Sequence, residues 1–421
     1  MLNNVLITLV SRVVNALLSF GIIIITANQL GAEAVGTISL IILGISIVQI
    51  VNSFIGGGAL IYLVPRNNIF QLFIPSYIWA IFTSIVCSYI LKITTLIPPE
   101  YFIHILFLSL LLSFATINLT IILGKEKIIL YNIISFLQIF ILFATLCFLI
   151  LFIHHKNVFS YIIALYFSYG LIFLVSSIFS FRYFKEIHLK NIKVVLQNML
   201  KLGSFVQIAN IVQLFNYRLT YYFIEIFCGR SPLGIYSVGT QLSESAWLTG
   251  KSLAIVQYSK ISNTQDLEYS RKLTLLFGKV SFLATFLTII ALLLIPQPVF
   301  SFIFGKDFPG LISVIISLAA GTLFLSISFT FSHFFSGIGK HYHNSISSAI
   351  GFIFTLILGY YFIPRYGLIG AGITTSITYF AIIVYQSIIF IKNTNSTIYD
   401  FLISKKDIDM FKQEIKNYLK K

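Results

Sequence analysis

Between Ile134 and Ile153 the chain reads ISFLQIFILFATLCFLILFI, with no charge anywhere in the run. About 20 consecutive apolar residues cross the hydrocarbon of a bilayer, and inside it every backbone polar group must be satisfied within the segment, so such a run is helical. One run of this kind could be a buried helix of a soluble domain; a dozen cannot. The runs fall near residues 5–29, 36–64, 70–93, 101–123, 128–153, 158–180, 203–227, 233–258, 273–295, 310–336, 342–363 and 368–391. Apolar residues make up 58% of the 421 and charged residues 10%, against about 25% charged in soluble domains. The expectation is an all-α integral membrane protein of about 12 transmembrane helices. An even number of spans places both termini on one side. The opening MLNNVLITLVSRVV has no basic start before its apolar run and no small-residue cleavage site, so no cleavable signal is expected.

Charge orients the bundle. One set of loops and the tail carries Arg66, Lys125, Lys127, Arg182, Lys185, Lys190, Lys193, Lys201, Lys260, Arg271, Lys272, Lys340, Lys392 and six lysines from Lys405 to Lys421, which is 13 + 6 = 19 of the 28 basic residues. The opposite loops carry five: Lys92, Lys156, Arg230, Lys306 and Arg365. Basic loops stay in the cytoplasm, which puts both termini there. The net charge of +15 is then a topology signal. The basic residues lack the interleaved aromatics of a nucleic-acid reader, so no nucleic-acid partner is expected. Two basic stretches show helical apolar spacing: Ile192, Val195, Leu196 and Met199, and in the tail Phe401, Ile408, Phe411, Ile415 and Leu419. Both are expected to lie as helices on the anionic inner leaflet.

The chain also restates itself. LGAEAVGTISL from Leu30 is echoed by CGRSPLGIYSV from Cys228, with Gly31 on Gly229 and Gly36 on Gly234 at an offset of 198. LGKEK at Leu123 is echoed by IGKHY at Ile338. Each echo follows an equivalent span, so the halves share one orientation: a parallel repeat of two six-helix lobes. The expected divisions are 1–196 for the first lobe with its amphipathic linker, 197–392 for the second, and 393–421 for a basic cytoplasmic tail.

Polar residues inside the spans fall on helix faces. The first span carries Thr8, Ser11, Arg12, Asn15 and Ser19; the seventh carries Gln207, Asn210, Gln213, Tyr217, Arg218, Tyr221 and Glu225; the eighth carries Gln241, Glu244, Lys251 and Ser252; the second carries Gln49, Asn52 and Ser53 before the triplet Gly56–Gly58. Charge within hydrocarbon is costly, so these faces are expected to line a watered cavity; helix-to-helix hydrogen bonding is the alternative for the amides. Deep in the spans Arg12, Arg218 and Lys251 outnumber Glu244, with Glu225 nearer an end. Excess cation implies an anionic passenger, and phosphate suits arginine's fork. The candidate substrate residues are therefore Arg12, Asn15, Gln49, Asn52, Asn210, Gln213, Arg218, Gln241 and Lys251, and the candidates for coupling to a proton or sodium gradient are Glu244 and Glu225. His333 is expected to pack. The glycine triplet is expected either to unwind the second span or to kink it.

Other chemistries lack their motifs. SAWLTGKS ends like a phosphate-binding loop, but Ser245 stands where the first glycine belongs and no strand precedes it, so no nucleotide is expected. Cys87, Cys147 and Cys228 have no metal-ligand spacing and imply no disulfide framework. No zinc spacing or nucleophile elbow occurs, so neither a cofactor nor enzymatic activity is expected.

The segments ANQLGAEAVGTISL, NYRLTYYFIEIFCGRSPLGIYSVG, FIFGKDFPG, GIGKHYHN and YYFIPRYGLIGAGITTSITYF, spread over nearly the whole chain, resemble polysaccharide-repeat-unit flippases of the Wzx type, in the multidrug/oligosaccharidyl-lipid/polysaccharide exporter superfamily. The resemblance implies two six-helix bundles in a V and alternating access. Its implied passenger is an undecaprenyl-diphosphate-linked oligosaccharide, for O-antigen or capsule, moved from the cytoplasmic to the outer leaflet of the cell inner membrane, with a glycan polymerase as a possible partner. Many relatives carry an acid where Thr220 stands here, which leaves its role to Glu225 or Glu244 or leaves it absent. A multidrug exporter of the same fold is the second reading, though Arg12 disfavours cationic drugs. A membrane glycan polymerase is the third, disfavoured by outer loops of about 6–10 residues, typical of short connections. Lipid II flippases are close relatives that usually carry helices beyond twelve.

Overall fold

The computed structural model describes residues 2–184 and 192–402. Among these residues there is no strand. The helices are α1 (Leu2–Gly56), α2 (Gly58–Leu63), α3 (Ile69–Ile93), α4 (Phe102–Gly124), α5 (Ile128–Cys147), α6 (Val158–Phe181), α7 (Ile192–Cys228), α8 (Arg230–Ala246), α9 (Leu248–Ser262), α10 (Leu267–Leu293), α11 (Gln297–Phe304), α12 (Leu311–Gly337) and α13 (Tyr342–Thr394). Among the described residues eight helical stretches are long and apolar enough to cross a membrane, and two of these, Ser11–Leu63 and Tyr342–Thr394, are 53 residues each. That is about 80 Å of helix, more than twice a hydrocarbon core of about 30 Å. Each bends at a glycine outside helical space, Gly31 at φ 82° and Gly367 at φ 56°, and so supplies two spans. With α7 and the α8–α9 pair the total is 8 + 2 + 2 = 12. The protein is a multi-pass, all-α membrane protein of two six-helix lobes.

Local chemistry starts several helices. The side chains of Asn68, Asn157 and Asp266 accept from the backbone N–H of Phe70, Ser160 and Tyr269, which satisfies an orphan donor at the start of α3, α6 and α10.

The chain forms two compact units. The first holds Met1–Leu214, Arg230–Gly234 and Ser301–Phe308; the second holds Phe215–Gly229, Ile235–Phe300 and Pro309–Lys421. The division falls within α7, 18 residues past position 196 (214 − 196). In the first unit Ile41, Ile45, Val48, Ile105, Leu108, Ile162 and Leu165 form one core, and Leu60, Leu72, Ile117, Ile121, Val195 and Met199 form another. Asn118 is fully buried between helices. It accepts from Tyr77 Oη (3.0 Å) and Ser180 Oγ (3.1 Å) and donates to Ser177 Oγ (2.9 Å). In the second unit Gln386, also buried, accepts from Ser328 Oγ (2.7 Å) and donates to Ser332 Oγ (2.9 Å).

The repeated glycines meet inside the first unit. A Cβ on Gly36 would stand 2.0 Å from the carbonyl oxygen of Arg230, and one on Gly234 would stand 1.8 Å from that of Ala32. Only a bare backbone fits on either side. Nearby, Asn28 Nδ2 donates to the carbonyls of Phe302 (3.2 Å) and Ile303 (3.3 Å), and Arg230 pairs with Glu100 at 2.9 Å. The two glycines that open the echoes, Gly31 and Gly229, share a positive φ, 82° and 93°.

The structure departs from the sequence expectations at four places. Residues 192–199 do not form a separate surface helix: they open α7, and Val195 and Met199 are buried in the first unit. Apolar residues at that spacing fit a protein core as well as a lipid surface. The eighth span is broken, with Trp247 between α8 and α9. The segment between α10 and α12 is longer than a short connection and holds α11. In the tail, Phe401 ends a short 3-10 turn, Ile398–Phe401, with its ring 6.1 Å from Phe331 and 6.4 Å from Phe390; Ile408, Phe411, Ile415 and Leu419 lie outside the described residues. The glycine triplet interrupts the second span: α1 ends at Gly56 and α2 begins at Gly58. His333 packs as expected, its Nδ1 2.8 Å from the carbonyl of Phe329 and its ring against Tyr258. The three thiols are free.

Candidate substrate and coupling site

In the second unit, α7 presents Tyr217, Arg218 and Tyr221 within one turn, and α8 presents Glu244 opposite. Both terminal guanidinium nitrogens of Arg218 donate to the Glu244 carboxylate, Nη1 to Oε1 at 2.7 Å and Nη2 to Oε2 at 3.1 Å. This is the two-pronged geometry that arginine shares with carboxylates and phosphates. Each side chain keeps 25% exposure, so the pair is not fully enclosed by protein.

Aromatic rings frame it. The Arg218 guanidinium carbon stands 5.2 Å over the Tyr221 ring, a cation–π arrangement. Tyr221 packs edge-on to Tyr236 at 5.9 Å, and Tyr217 edge-on to Tyr379 at 6.1 Å. Tyr236 Oη is held 3.0 Å from Thr375 Oγ1. The fork is thus fixed by rings that are themselves fixed, which holds its aim at one place.

One residue past the pair's own turn, α8 stops. Trp247 leaves helical geometry, and its ring rests 5.0 Å from Phe329. Lys251, exposed on α9, places its ammonium 5.6 Å over the Trp247 ring. No carboxylate pairs with Lys251 among the described residues. An interrupted helix inside a span is where transporters place binding groups, because irregular backbone is tolerated only beside a polar cavity or buried in protein.

The candidates fall into the two units. Arg12, Asn15, Gln49, Asn52, Asn210 and Gln213 belong to the first; Arg218, Glu225, Gln241, Glu244 and Lys251 to the second. Of these, Arg218 and Glu244 are joined directly. Arg12 is exposed. Asn52 is 1% exposed, and its Oδ1 has no hydrogen-bond partner among the described residues; the Oδ1 of Asn15 has none either. Gln49 behaves as helix glue: its Nε2 donates to the Ser109 carbonyl (3.0 Å) and Ser113 Oγ (2.9 Å) of α4. Asn210 donates to Gln207 (2.9 Å) and Gln241 to the Ser237 carbonyl (3.3 Å), both on their own helices. Gln213 is exposed, and Glu225 is half-buried near the end of α7. The sequence reading missed Tyr236, Tyr379 and the break at Trp247. Tyr217 and Tyr221, four apart on the arginine's face, were the available signal for an aromatic frame. Tyr379, some 160 residues from Arg218 (379 − 218 = 161), carries no local one.

The fold is similar to that of several solved membrane transporters. The solved structures similar to it include the lipid II flippase MurJ in an inward closed conformation, at a TM-score of 0.73 and 17% identity over 95% of this chain and 89% of that one. A multidrug resistance MATE family transporter of the MOP superfamily matches in an inward-facing conformation at 0.67 and 13% identity, covering 91% of this chain and 96% of that one. Its outward-facing conformation matches at 0.64 and 14%, covering 93% and 94%. These neighbours are transporters and flippases. By sequence, the capsular polysaccharide biosynthesis protein CapF of Staphylococcus aureus is 26% identical over 164 residues, 38% of this chain and 41% of that protein. The chain thus matches less than half the length of that relative. A scan against models of known protein families finds no match.

Proposed function

We propose that the chain is a flippase for a lipid-linked oligosaccharide, moving an undecaprenyl-diphosphate-linked repeat unit of O-antigen or capsule from the cytoplasmic to the outer leaflet by alternating access. It works in the cell inner membrane with both termini cytoplasmic, coupled to a proton or sodium gradient. The single observation that carries this is the Arg218 fork, fixed among aromatic rings within the helical bundle and filled by a carboxylate at 2.7 and 3.1 Å. A fork that holds a carboxylate with both prongs fits a phosphate equally. In the second unit Lys251, without an ion partner among the described residues, adds a second cation beside the Arg218–Glu244 pair; Arg12, Asn15, Asn52, Asn210 and Gln213 of the first unit and Gln241 of the second are the further residues proposed to meet the passenger. Glu244 and Glu225 are the acids available for coupling, with the Thr220 position silent.

Complementation of a flippase-null strain tests the reading, with surface glycan and membrane protein level both measured. Losing a charge-assisted contact in a water-poor site costs about 2 kcal/mol, roughly thirtyfold in binding. Arg218→Ala and Arg12→Ala are therefore expected to abolish or strongly reduce surface glycan at matched protein level. Lysine is expected to rescue partly, since it keeps charge but loses the fork. Wild-type glycan from both alanine variants overturns the assignment. The second reading, a multidrug-type exporter, is favoured by one observation, the four tyrosines Tyr217, Tyr221, Tyr236 and Tyr379 beside Glu244, a frame that also suits an organic cation. Drug resistance conferred on a sensitive strain, with no glycan phenotype, would decide for it.

A further inference from the structure

We infer that Glu244 is a resident occupant of the phosphate seat: its carboxylate holds the Arg218 fork while the protein is empty, and a lipid diphosphate takes the fork by displacing it, with Lys251 receiving the displaced carboxylate. The inference rests on the flippase reading above and deepens it. The edge of Arg218 that carries Nη1 and Nη2 is engaged at 2.7 and 3.1 Å, so a phosphate cannot use that edge while Glu244 remains. Tyr221 covers one face of the guanidinium at 5.2 Å, and the group donates only in its plane, so a phosphate that takes both terminal nitrogens must take them from Glu244. Arg218 and Glu244 each keep 25% of their side-chain surface exposed, so neither is sealed off by the protein.

Displacement is costly unless the carboxylate finds another cation, because a lone charge within the membrane is strongly disfavoured. Lys251 is that cation. It lies two turns along from Glu244, is exposed, has the Trp247 ring beneath it at 5.6 Å, and has no carboxylate partner among the described residues. The backbone between them is not a continuous helix. α8 ends at Ala246 and α9 begins at Leu248, so the Glu244 turn can rotate without carrying α9 with it. Charge is conserved in the exchange: Arg218 passes from carboxylate to phosphate and Glu244 passes from arginine to lysine. Anions weaker than a diphosphate do not displace a two-pronged carboxylate, so the resident acid also screens what may load.

The test is equilibrium binding of farnesyl diphosphate and of inorganic diphosphate to the full chain in nanodiscs, with thermal unfolding of each variant recorded alongside. Glu244→Gln is expected to bind farnesyl diphosphate about tenfold more tightly than wild type, the scale of one charge-assisted hydrogen bond no longer competed for. Arg218→Gln is expected not to bind, and Lys251→Gln to bind more weakly than wild type. An equal gain for inorganic diphosphate would show that the seat recognises the anion alone. A gain confined to farnesyl diphosphate would show that it requires a lipid delivered from the bilayer. Binding by Glu244→Gln equal to or weaker than wild type, at an unchanged unfolding temperature, overturns the exchange and leaves the flippase reading standing. If wild type and Glu244→Gln both ignore both diphosphates, the flippase reading falls and the exchange falls with it. Infrared difference spectra of wild type guard against a misfolded variant: addition of farnesyl diphosphate should shift an arginine-bound carboxylate band, and an unshifted band overturns the inference.

Discussion

Asn118 shows what single polar residues do in this bundle. It is fully buried and spends its carbonyl on Tyr77 and Ser180 and its amide nitrogen on Ser177. Its worth lies less in the bonds gained than in the groups that would be stranded without it. Asn118→Ala leaves the Tyr77 hydroxyl in an apolar setting, and the expected loss is about 1–3 kcal/mol. Thermal unfolding in detergent checks this, with the double variant Asn118→Ala/Tyr77→Phe expected to recover part of the loss. Gln49 has the same character, which explains why it resembles a lining residue in the sequence. An amide that glues helices and one that meets sugar show the same face pattern, and only the partner atoms on α4 tell them apart.

At the level of elements, the turn after α13 shows local capping reinforced by packing. The Thr397 backbone N–H donates to Asp400 Oδ2 at 2.8 Å, Arg271 of α10 reaches the same oxygen at 3.1 Å, and Phe401 packs against Phe331. The Thr397 backbone N–H, then its hydroxyl and Arg271, hold the Asp400 carboxyl below its usual range. A lowered carboxyl pKa stabilises the folded turn above the unfolded value of about 4 and loses that contribution as pH falls through the folded value. Hydrogen-exchange protection of residues 398–401, corrected for intrinsic rate, is therefore expected to hold from pH 7 to about 4 and to drop below it, and to be low at all pH in Asp400→Ala. The spans themselves were legible because hydrocarbon length and backbone satisfaction leave so few alternatives. The double spans at Gly31 and Gly367 could be separated because charge and glycine punctuate the sequence there. The break at Trp247 had no such mark: SAWLTGKS contains no proline, and its glycine, Gly250, lies three residues past the kink. The run at 192–199 was misassigned because its lipid-like face points into Leu63, Leu72 and Met199's other neighbours, which no local pattern reveals. The fork of Arg218 was named from its face, but its partner and its aromatic frame depend on contacts between helices far apart in sequence.

Across the whole molecule, the echo at an offset of 198 corresponds to equivalent backbone. Gly31 and Gly229 take the same left-handed turn, and Gly36 and Gly234 sit against each other's helix. Without a hydrophobic force between helices in lipid, close contact of this kind depends on small residues. Gly36→Val and Gly234→Val each place a side chain where less than 2.1 Å is free, and each is expected to destabilise by about 3 kcal/mol or more. Unfolding temperature in detergent checks this, with Gly58→Ala, where a Cβ meets nothing within 4 Å, as the control. The fit has a further consequence. Ala32 touches Gly234 and Arg230 touches Gly36, and 32 + 198 = 230 while 36 + 198 = 234. Residue i meets j and j's counterpart meets i's, which is the self-complementary contact of a two-fold homodimer. The crossing therefore carries, inside one polypeptide, the reciprocal symmetry of a two-fold contact: each repeat of the motif supplies the small residue that the other's backbone requires.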